Sequence, residues 1–311
     1  MKRPSGSESR RWVFVPGHIS GFFQPFFHPS PARAGSRNFG PCTSVGVWTG
    51  VRKGKGVRIL VNGREFQPEP TLRILKKLGV TGVRIEHLCE VPPGTGFGVS
   101  AGWALGTALA VSRAFGPALP KGRLVSLAHE AEVESGTGLG DVGAQNKGGV
   151  VLGLEPGAPP YGKWRRLPVR GFRLLCAVLG ALSTKGLLGE EEFRRKASRL
   201  GGEAVRAVMA RPSLKTAMES SLRFAEGLGL LDSELRELIH LCQREGVMAS
   251  QIMLGRGIFS FVRPEKVEKV RRVLGGVVGE DRVLVCGIGG PARFTGAPRG
   301  RVFPAVSFQG P

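Results

Sequence analysis

Apolar and polar residues alternate along several short stretches in the first half of the chain, and this period of two is typical of half-buried β-strands. The alternation covers residues 45–49, 57–61 and 83–87, and a short apolar run at 12–15 precedes it. A turn at 52–56 with two glycines separates the first two stretches and predicts that they pair as a β-hairpin. We therefore expect a sheet in the first half.

Two longer stretches of the first half are predicted helices. Residues 100–115 are rich in alanine and carry no charge before Arg113, which indicates a helix buried on every side. Residues 121–134 place their apolar side chains on one face, as a helix packed on a core does. A glycine-rich stretch at 136–149 follows and leads into an apolar strand at 150–154.

The second half predicts strands and helices in the order β-α-β-β-α-β, which is typical of a split, ferredoxin-like sandwich. The predicted elements are a strand at 172–179, a helical region at 190–245 with breaks at Gly201–Gly202, Arg211–Pro212 and Gly229, apolar runs within 248–261, a helix from Pro264 to Leu274 and a strand at 283–286. Prolines and glycines at 155–163 predict a domain boundary. We expect an N-terminal domain over 1–158 and a C-terminal domain over 159–311.

Composition narrows the class of protein. With 311 residues and 41% hydrophobic content, the chain is large enough to bury a core, which argues against a disordered protein. A total of 45 Lys and Arg against 24 Asp and Glu gives a formal charge of +21, which attracts anions. Nucleic acid and a phosphorylated small molecule are both candidate partners, but the basic residues are spread along the chain, so a general preference for arginine accounts for the charge equally well. We expect no specific nucleic acid as partner.

We expect neither a membrane segment nor an export signal in this sequence. The apolar run at 12–15 is too short for a signal peptide, and the longest run, at 172–182, contains Arg173 and is shorter than a membrane span. The five cysteines form no C-x-x-C pair, which argues against a zinc site and a disulfide framework. A reducing cytoplasm is therefore the expected location.

The strongest chemical signal is the motif PPGTGFGVSA at 92–101, which follows a predicted strand and opens the predicted buried helix. Glycines let the backbone approach a ligand closely, and free N–H groups at a helix start attract phosphate oxygens. No Lys-Ser or Lys-Thr follows the last glycine, so the motif is not a Walker A loop. Its third glycine is misplaced for a Rossmann fingerprint.

This motif resembles the phosphate-binding motif of the GHMP kinases, the family of galactokinase, homoserine kinase and mevalonate kinase. Further segments resemble the form of the family found in archaeal pantoate kinases: FVPGHISGFF at 14–23, GSRNFG at 35–40, VGV at 45–47, ESGTGLGDV at 134–142 and the glycines at 148–149. The resemblance implies an α+β protein with the GHMP kinase fold, which joins an N-terminal ribosomal protein S5-like α/β domain to a C-terminal ferredoxin-like sandwich with inserted helices. The match is weaker in the second half, where 183–185 and 253–255 stand at places of the family's third motif.

The resemblance implies ATP-dependent phosphorylation of pantoate to 4-phosphopantoate in archaeal coenzyme A biosynthesis, with ATP and Mg²⁺ as cofactors. A homodimer is plausible for the family. Phosphoryl transfer depends mostly on positioning and on neutralising charge. The residues expected to bind the nucleotide are Pro93, Gly94, Thr95, Gly96, Phe97, Gly98, Val99, Ser100 and Ala101.

The resemblance also assigns a base and a metal site. Asp141 resembles the family's aspartate that accepts the proton of the attacking hydroxyl. Magnesium takes few ligands from protein side chains, and Ser100 with Glu132 is the expected pair. Glu130 and Glu134 are close in sequence and remain alternatives to Glu132.

The acceptor site needs a cation and hydrogen-bonding groups. Arg37 is expected to bind the carboxylate of pantoate. His18 and Gln24 are expected to orient its hydroxyl end. His18 stands where mevalonate-type kinases carry lysine.

Two other functions stay open at this point. A homoserine or mevalonate-type kinase is the nearest alternative, although the motif around His18 and the run TGLG at 137–140 argue against it. The other is a basic nucleic-acid-binding protein, since the family's first domain resembles a ribosomal protein domain. Tyr161 is the single tyrosine of the sequence and most phenylalanines lie in apolar runs, so stacking platforms for bases are poor.

Overall fold

The computed structural model describes residues 12–181, 186 and 189–298. The strands are β1 (Trp12–His18), β2 (Phe22–Phe26), β3 (Gly35–Lys53), β4 (Arg58–Val61), β5 (Arg64–Glu65), β6 (Val83–Cys89), β7 (Val150–Glu155), β8 (Lys163–Leu167), β9 (Arg173–Ala181), β10 (Ala249–Gln251), β11 (Gly255–Val262), β12 (Val283–Cys286) and β13 (Arg293–Thr295). The helices are α1 (Glu69–Leu78), α2 (Val99–Phe115), α3 (Lys121–Ser135), α4 (Asp141–Lys147), α5 (Glu191–Ala210), α6 (Leu214–Leu228), α7 (Ser233–Arg244) and α8 (Val267–Val278). Within these residues, no helix is long and apolar enough to span a membrane.

The long strand β3 organises the first sheet. Its second half pairs with β1 and β6, and its first half pairs with β2 and β7, so one strand belongs to two groups of neighbours. The main strand order is β13-β1-β3-β6-β4-β5, and β8 continues the sheet beyond β7. This arrangement brings the ends of β1, β2 and β7 together at the middle of β3.

The predicted hairpin between 45–49 and 57–61 is wrong. Strand β6 lies between β3 and β4, and it pairs antiparallel with β3 and parallel with β4. The N–H of Val83, at the start of β6, donates to the carbonyl of Gly56 at 3.1 Å. The start of β6 therefore lies between the two strands that the expected turn would have joined as a hairpin. Alternation identifies a strand, but it carries no information about which later strand separates it from its neighbour in sequence.

Helix α2 is buried along most of its length, as its uncharged sequence predicts. Two glycines one turn apart let it lie directly on β3. A β-carbon added at Gly102 would approach Val47 Cγ2 to 2.7 Å, and one added at Gly106 would overlap the side chain of Thr49. Helices α1 and α3 pack on α2 and on each other.

The second sheet has the order β10-β11-β9-β12 with every pair antiparallel, which is the predicted ferredoxin-like order. Helices α5, α6 and α7 are inserted between β9 and β10, and α8 connects β11 to β12. The breaks expected at Arg211–Pro212 and Gly229 are present. The break expected at Gly201–Gly202 is wrong, because α5 continues through both glycines and uses them to pack on β2.

One hydrophobic core contains side chains from both sheets, and a second lies between the first sheet and α1, α2 and α3. Strand β8, from beyond the expected boundary at 158, pairs with β7, and β13 pairs with β1. Both strands therefore join the first sheet although they come from the second half of the sequence. The division into domains over 1–158 and 159–311 stays a prediction.

Candidate active site

The glycine loop connects β6 to α2, and three of its glycines hold it in shape. Gly94, Gly96 and Gly98 have φ of 80°, 82° and 60°, a region that side chains with a β-carbon rarely enter. Gly98 is the N-cap of α2 and provides no side chain to occupy the first free N–H groups of the helix. Those groups, at the start of a 17-residue helix, are suited to bind anionic oxygens.

A cavity of about 100 Å³ lies against this loop. Residues 93, 94 and 96–100 line one side, and the rest of the wall is formed by Ser20, Trp103, Thr137, Asp141, Met253 and Leu254. The turn between β10 and β11, which contains the predicted segment 253–255, thus reaches the cavity. The other predicted segment of the second half, 183–185, lies outside the described residues.

Asp141 is the first residue of the short helix α4, whereas the sequence analysis places it within a glycine-rich stretch without predicting a helix there. It lies next to the end of the glycine loop: a β-carbon added at Gly98 would be 3.1 Å from Asp141 Cγ. The two glycine-rich segments of the sequence therefore meet at the cavity, with a carboxylate beside the start of α2.

His18 holds this carboxylate. Its Nδ1 lies 2.6 Å from Asp141 Oδ1, and because an ionised carboxylate only accepts, Nδ1 is the donor. The His18 ring is fully buried, and its backbone N–H donates to the carbonyl of Phe97 at 2.9 Å. The end of β1 therefore anchors both the glycine loop and Asp141.

Glu132 is the glutamate of α3 that faces the cavity region. It is buried, its Oε1 accepts a hydrogen bond from Thr137 Oγ1 at 2.6 Å, and its Oε2 has no hydrogen-bond partner among the described residues. Burial raises the pKa of Glu132 to about 7; the charge of Asp141 adds to this, and hydrogen bonds from Thr137 and Ser100 oppose it.

The two alternatives to Glu132 lie away from the cavity. Lys77 of α1 bridges them, with Nζ 3.3 Å from Glu130 and 2.8 Å from Glu134. Arg123 also pairs with Glu130. Both glutamates are thus paired with cations between α1 and α3, which leaves Glu132 as the carboxylate closest to Ser100 and Asp141.

The geometry of Glu132 suits a cation. A β-carbon added at Gly138 would overlap Glu132 Oε2 and lie 3.4 Å from Asp141 Oδ2, so the two carboxylates approach the same glycine. In the part of the chain that the structure describes, no group of three or more His, Cys, Asp and Glu side chains is placed to hold a metal. Magnesium needs only one or two protein side chains as ligands, so the predicted pair of Ser100 and Glu132 is sufficient in number.

Arg37 and Gln24 oppose each other on β3 and β2 and face α5. Gln24 packs on Gly202, and the Arg37 guanidinium lies 5.4 Å from the centre of the Phe26 ring. Arg37 Nε and Gln24 Oε1 are buried without a hydrogen-bond partner in the described structure. Neither side chain has a described contact with Asp141. The structure brings His18, Ser100 and Glu132 to Asp141, but it places these two residues on another face of the β2–β3 pair.

The residues of β3 next to Arg37 point the other way and reach α4. A β-carbon added at Gly140, directly before Asp141, would clash with Ser36 Oγ and Asn38 Nδ2. Ser36, Asn38 and Thr137 are not among the predicted site residues. A signal exists for all three, because they stand in the family-like segments at 35–40 and 134–142, but their approach to α4 and Glu132 is visible only in the fold.

Comparison with known proteins gives consistent matches. The family description "GHMP kinases N terminal domain" matches residues 69–149. The chain is 36% identical over 277 residues to a pantoate kinase of Thermococcus kodakarensis, covering 84% of this chain and 91% of that protein. It is 30% identical over 296 residues to a pantoate kinase of Methanospirillum hungatei, covering 93% and 98%. A solved structure described as a "phosphotransferase related to CoA biosynthesis pathway" superposes with a TM-score of 0.82 at 33% identity, covering 91% and 97%.

Proposed function

Because the chain belongs to the GHMP kinases, we propose that it transfers a phosphoryl group from ATP to pantoate and forms 4-phosphopantoate for coenzyme A biosynthesis. The observation that carries the chemistry is the position of the Asp141 carboxylate beside the start of α2, with His18 fixed on its Oδ1. The choice of pantoate is supported by relatives that carry this name and match most of the chain.

The nucleotide binds at the glycine loop in this proposal. In the predicted nucleotide site at 93–101, the residues after Pro93 present backbone N–H groups and the start of α2 to the phosphate oxygens. Ser100, in the first turn, and Glu132, with its unpartnered Oε2, would hold Mg²⁺. Bound magnesium would neutralise charge on the outer phosphate oxygens.

Asp141 is the base that accepts the proton of the attacking hydroxyl. His18 Nδ1–H occupies Oδ1, so Oδ2 is left to face the acceptor, and the hydrogen bond holds the carboxylate in one orientation. His18 thus acts on the acceptor's hydroxyl end through Asp141. Holding reacting groups in line supplies most of the rate enhancement that such a site offers.

The sequence predicts that Arg37 binds the carboxylate of pantoate and that Gln24 supports it. Both side chains lie on the face of the β2–β3 pair turned away from Asp141, so this part of the proposal rests on the motif alone. A guanidinium with a buried, unpartnered Nε suits a planar carboxylate because it donates two parallel hydrogen bonds. A reducing cytoplasm as the location and a homodimer as the assembly complete the proposal; five free, buried cysteines accord with that compartment.

An ADP-release assay of the purified protein tests the function. The acceptors are pantoate, homoserine, mevalonate and shikimate at equal concentration, with the Asp141→Asn variant as control. We expect ADP release with pantoate to exceed that with any other acceptor and to be lost in the variant. Faster turnover with homoserine or mevalonate would replace the proposed acceptor.

A further inference from the structure

Gln145 connects the two halves of the candidate site. It lies on α4 four residues after Asp141, so both side chains project from the same face of the helix. The Gln145 side chain is fully buried, and its Nε2 donates to the carbonyl of Gly98 at 2.8 Å. Gly98 ends the glycine loop, so this hydrogen bond runs from the helix that carries Asp141 to the segment that would hold the phosphates.

Helix α4 lies close to Gly98 at both Asp141 and Gln145. A β-carbon added at Gly98 would lie 3.1 Å from Gln145 Nε2 and 3.1 Å from Asp141 Cβ, so the lack of a side chain at Gly98 allows α4 to lie this close to the loop. The hydrogen bond from Gln145 holds α4 there. The glycine and the hydrogen bond together keep the carboxylate next to the loop.

The Gly98 carbonyl can accept this bond without weakening α2. It already accepts the N–H of Gly102 at 3.1 Å, which is the first hydrogen bond of the helix, and a carbonyl oxygen has two lone pairs. Gln145 uses the second lone pair. The hydrogen bond therefore links α4 to the glycine loop while the first hydrogen bond of α2 is kept.

Packing alone does not explain an amide here. Gln145 Oε1 is buried without a hydrogen-bond partner in the described chain, and an unpartnered buried oxygen lowers stability. Methionine has the same reach and no polar atom to satisfy, so it would suit a position that only fills space.

We propose that Gln145 is a positioning residue for phosphoryl transfer, which sets the distance between the phosphate-binding loop and Asp141. This inference rests on the proposed kinase function. Reacting atoms must be placed to within fractions of an ångström, and a shift of about 1 Å costs on the order of 100-fold in rate. Loss of the hydrogen bond therefore affects turnover far more than nucleotide binding.

The test compares Gln145→Met, which keeps the reach and removes the donor, with Gln145→Glu, which keeps the shape and cannot donate when ionised. Gln243→Met, on the exposed face of α7, is the matched control. We expect Gln145→Met to lower kcat by roughly 10- to 100-fold while the KM for ATP changes less than about threefold. The control should match the parent protein in both constants.

Thermal unfolding separates positioning from packing. If Gln145 only fills space, Gln145→Met should lower Tm and leave kcat of the folded protein unchanged. That result would overturn the proposal. If Gln145→Met does not fold, Gln145→Glu is judged by the same criterion. If the parent protein releases ADP only with another acceptor of the panel, pantoate is excluded as the substrate, and the Gln145 comparison is made with that acceptor. If it releases ADP with none of them, both the proposed kinase function and the Gln145 proposal are excluded.

Discussion

At the scale of single residues, the site is built around the Asp141 carboxylate, whose Oδ1 lies 2.6 Å from His18 Nδ1. Asp141, Ser100 and Glu132 come from motifs, and the structure places all three at one cavity or beside it. The partner of Asp141 could not be predicted, because His18 is 123 residues away and meets it only when β1 lies beside α4. The resemblance selects Glu132, and its burial with an unpartnered Oε2 favours it over Glu130 and Glu134, which pair with cations.

Replacing the proposed base tests its role directly. Asp141→Asn keeps the size of the side chain and removes its basicity, so we expect kcat to fall by about 10²–10⁴-fold. Nucleotide affinity, measured by calorimetry with a nonhydrolysable ATP analogue, should stay near the parent value. Turnover close to that of the parent would exclude Asp141 as the base.

Arg37 has a matched control in Arg33, since both guanidiniums lie over aromatic rings. Arg37→Ala should raise the KM for pantoate by roughly 10- to 100-fold, because a charge-assisted hydrogen bond is lost, and leave the KM for ATP unchanged. Arg33→Ala should change neither constant. Both constants are measured by steady-state kinetics with each substrate varied in turn. An unaltered KM for pantoate in Arg37→Ala would exclude Arg37 as the residue that binds the carboxylate.

The raised pKa of Glu132 makes the stability of the metal-free protein depend on pH. The pKa is about 7 in the folded state against 4.5 for an ordinary glutamate, so between these values the folded state keeps a proton that the unfolded state has lost. Stability therefore falls as pH rises from 4.5 to 7 and is level above 7.

Glu132→Gln removes this dependence. Relative to the parent, the variant should gain on the order of 3 kcal/mol at pH 8 and almost nothing near pH 4.5, as measured by urea unfolding in the presence of a chelator. An equal gain at both pH values would show that Glu132 does not titrate in this window.

At the scale of elements, glycine is the residue whose meaning the sequence leaves ambiguous. Gly201 and Gly202 predict a break in a helix, yet both lie inside α5 and allow it to rest on β2. The same residue type ends α6 at Gly229, where φ is 76°. Whether a glycine ends a helix or permits close packing depends on a neighbouring element that the local pattern does not show.

Two glycines on helices give opposite predictions for the change to alanine. A β-carbon at Gly201 would overlap the carbonyl of Phe23, so Gly201→Ala should destabilise the protein by about 1–3 kcal/mol. Gly276, on the exposed side of α8, has open space around it, so Gly276→Ala should stabilise by about 0.5–1 kcal/mol. Chemical unfolding of both variants provides the comparison, and a destabilised Gly276→Ala would contradict the packing argument.

At the scale of the whole molecule, the α+β class and the GHMP kinase fold predicted from the sequence are confirmed by the comparisons and by the strand orders of the two sheets. The order of elements along the chain is sufficient to predict the strand order of the second sheet. It is insufficient for the first sheet, in which β6 lies between β3 and β4, and β13, from near the end of the described chain, pairs with β1. These pairings join residues far apart in sequence, and local patterns cannot specify them.

In the proposed reaction, the glycine loop and Asp141 act together in phosphoryl transfer to pantoate. ³¹P NMR of a mixture of the protein, ATP, Mg²⁺ and pantoate observes the product itself. We expect a new phosphomonoester on the C4 hydroxyl of pantoate, formed in step with ADP by the parent protein and absent with Asp141→Asn. No phosphorylated pantoate with the folded parent protein, or equal amounts with the variant, would contradict the proposed reaction.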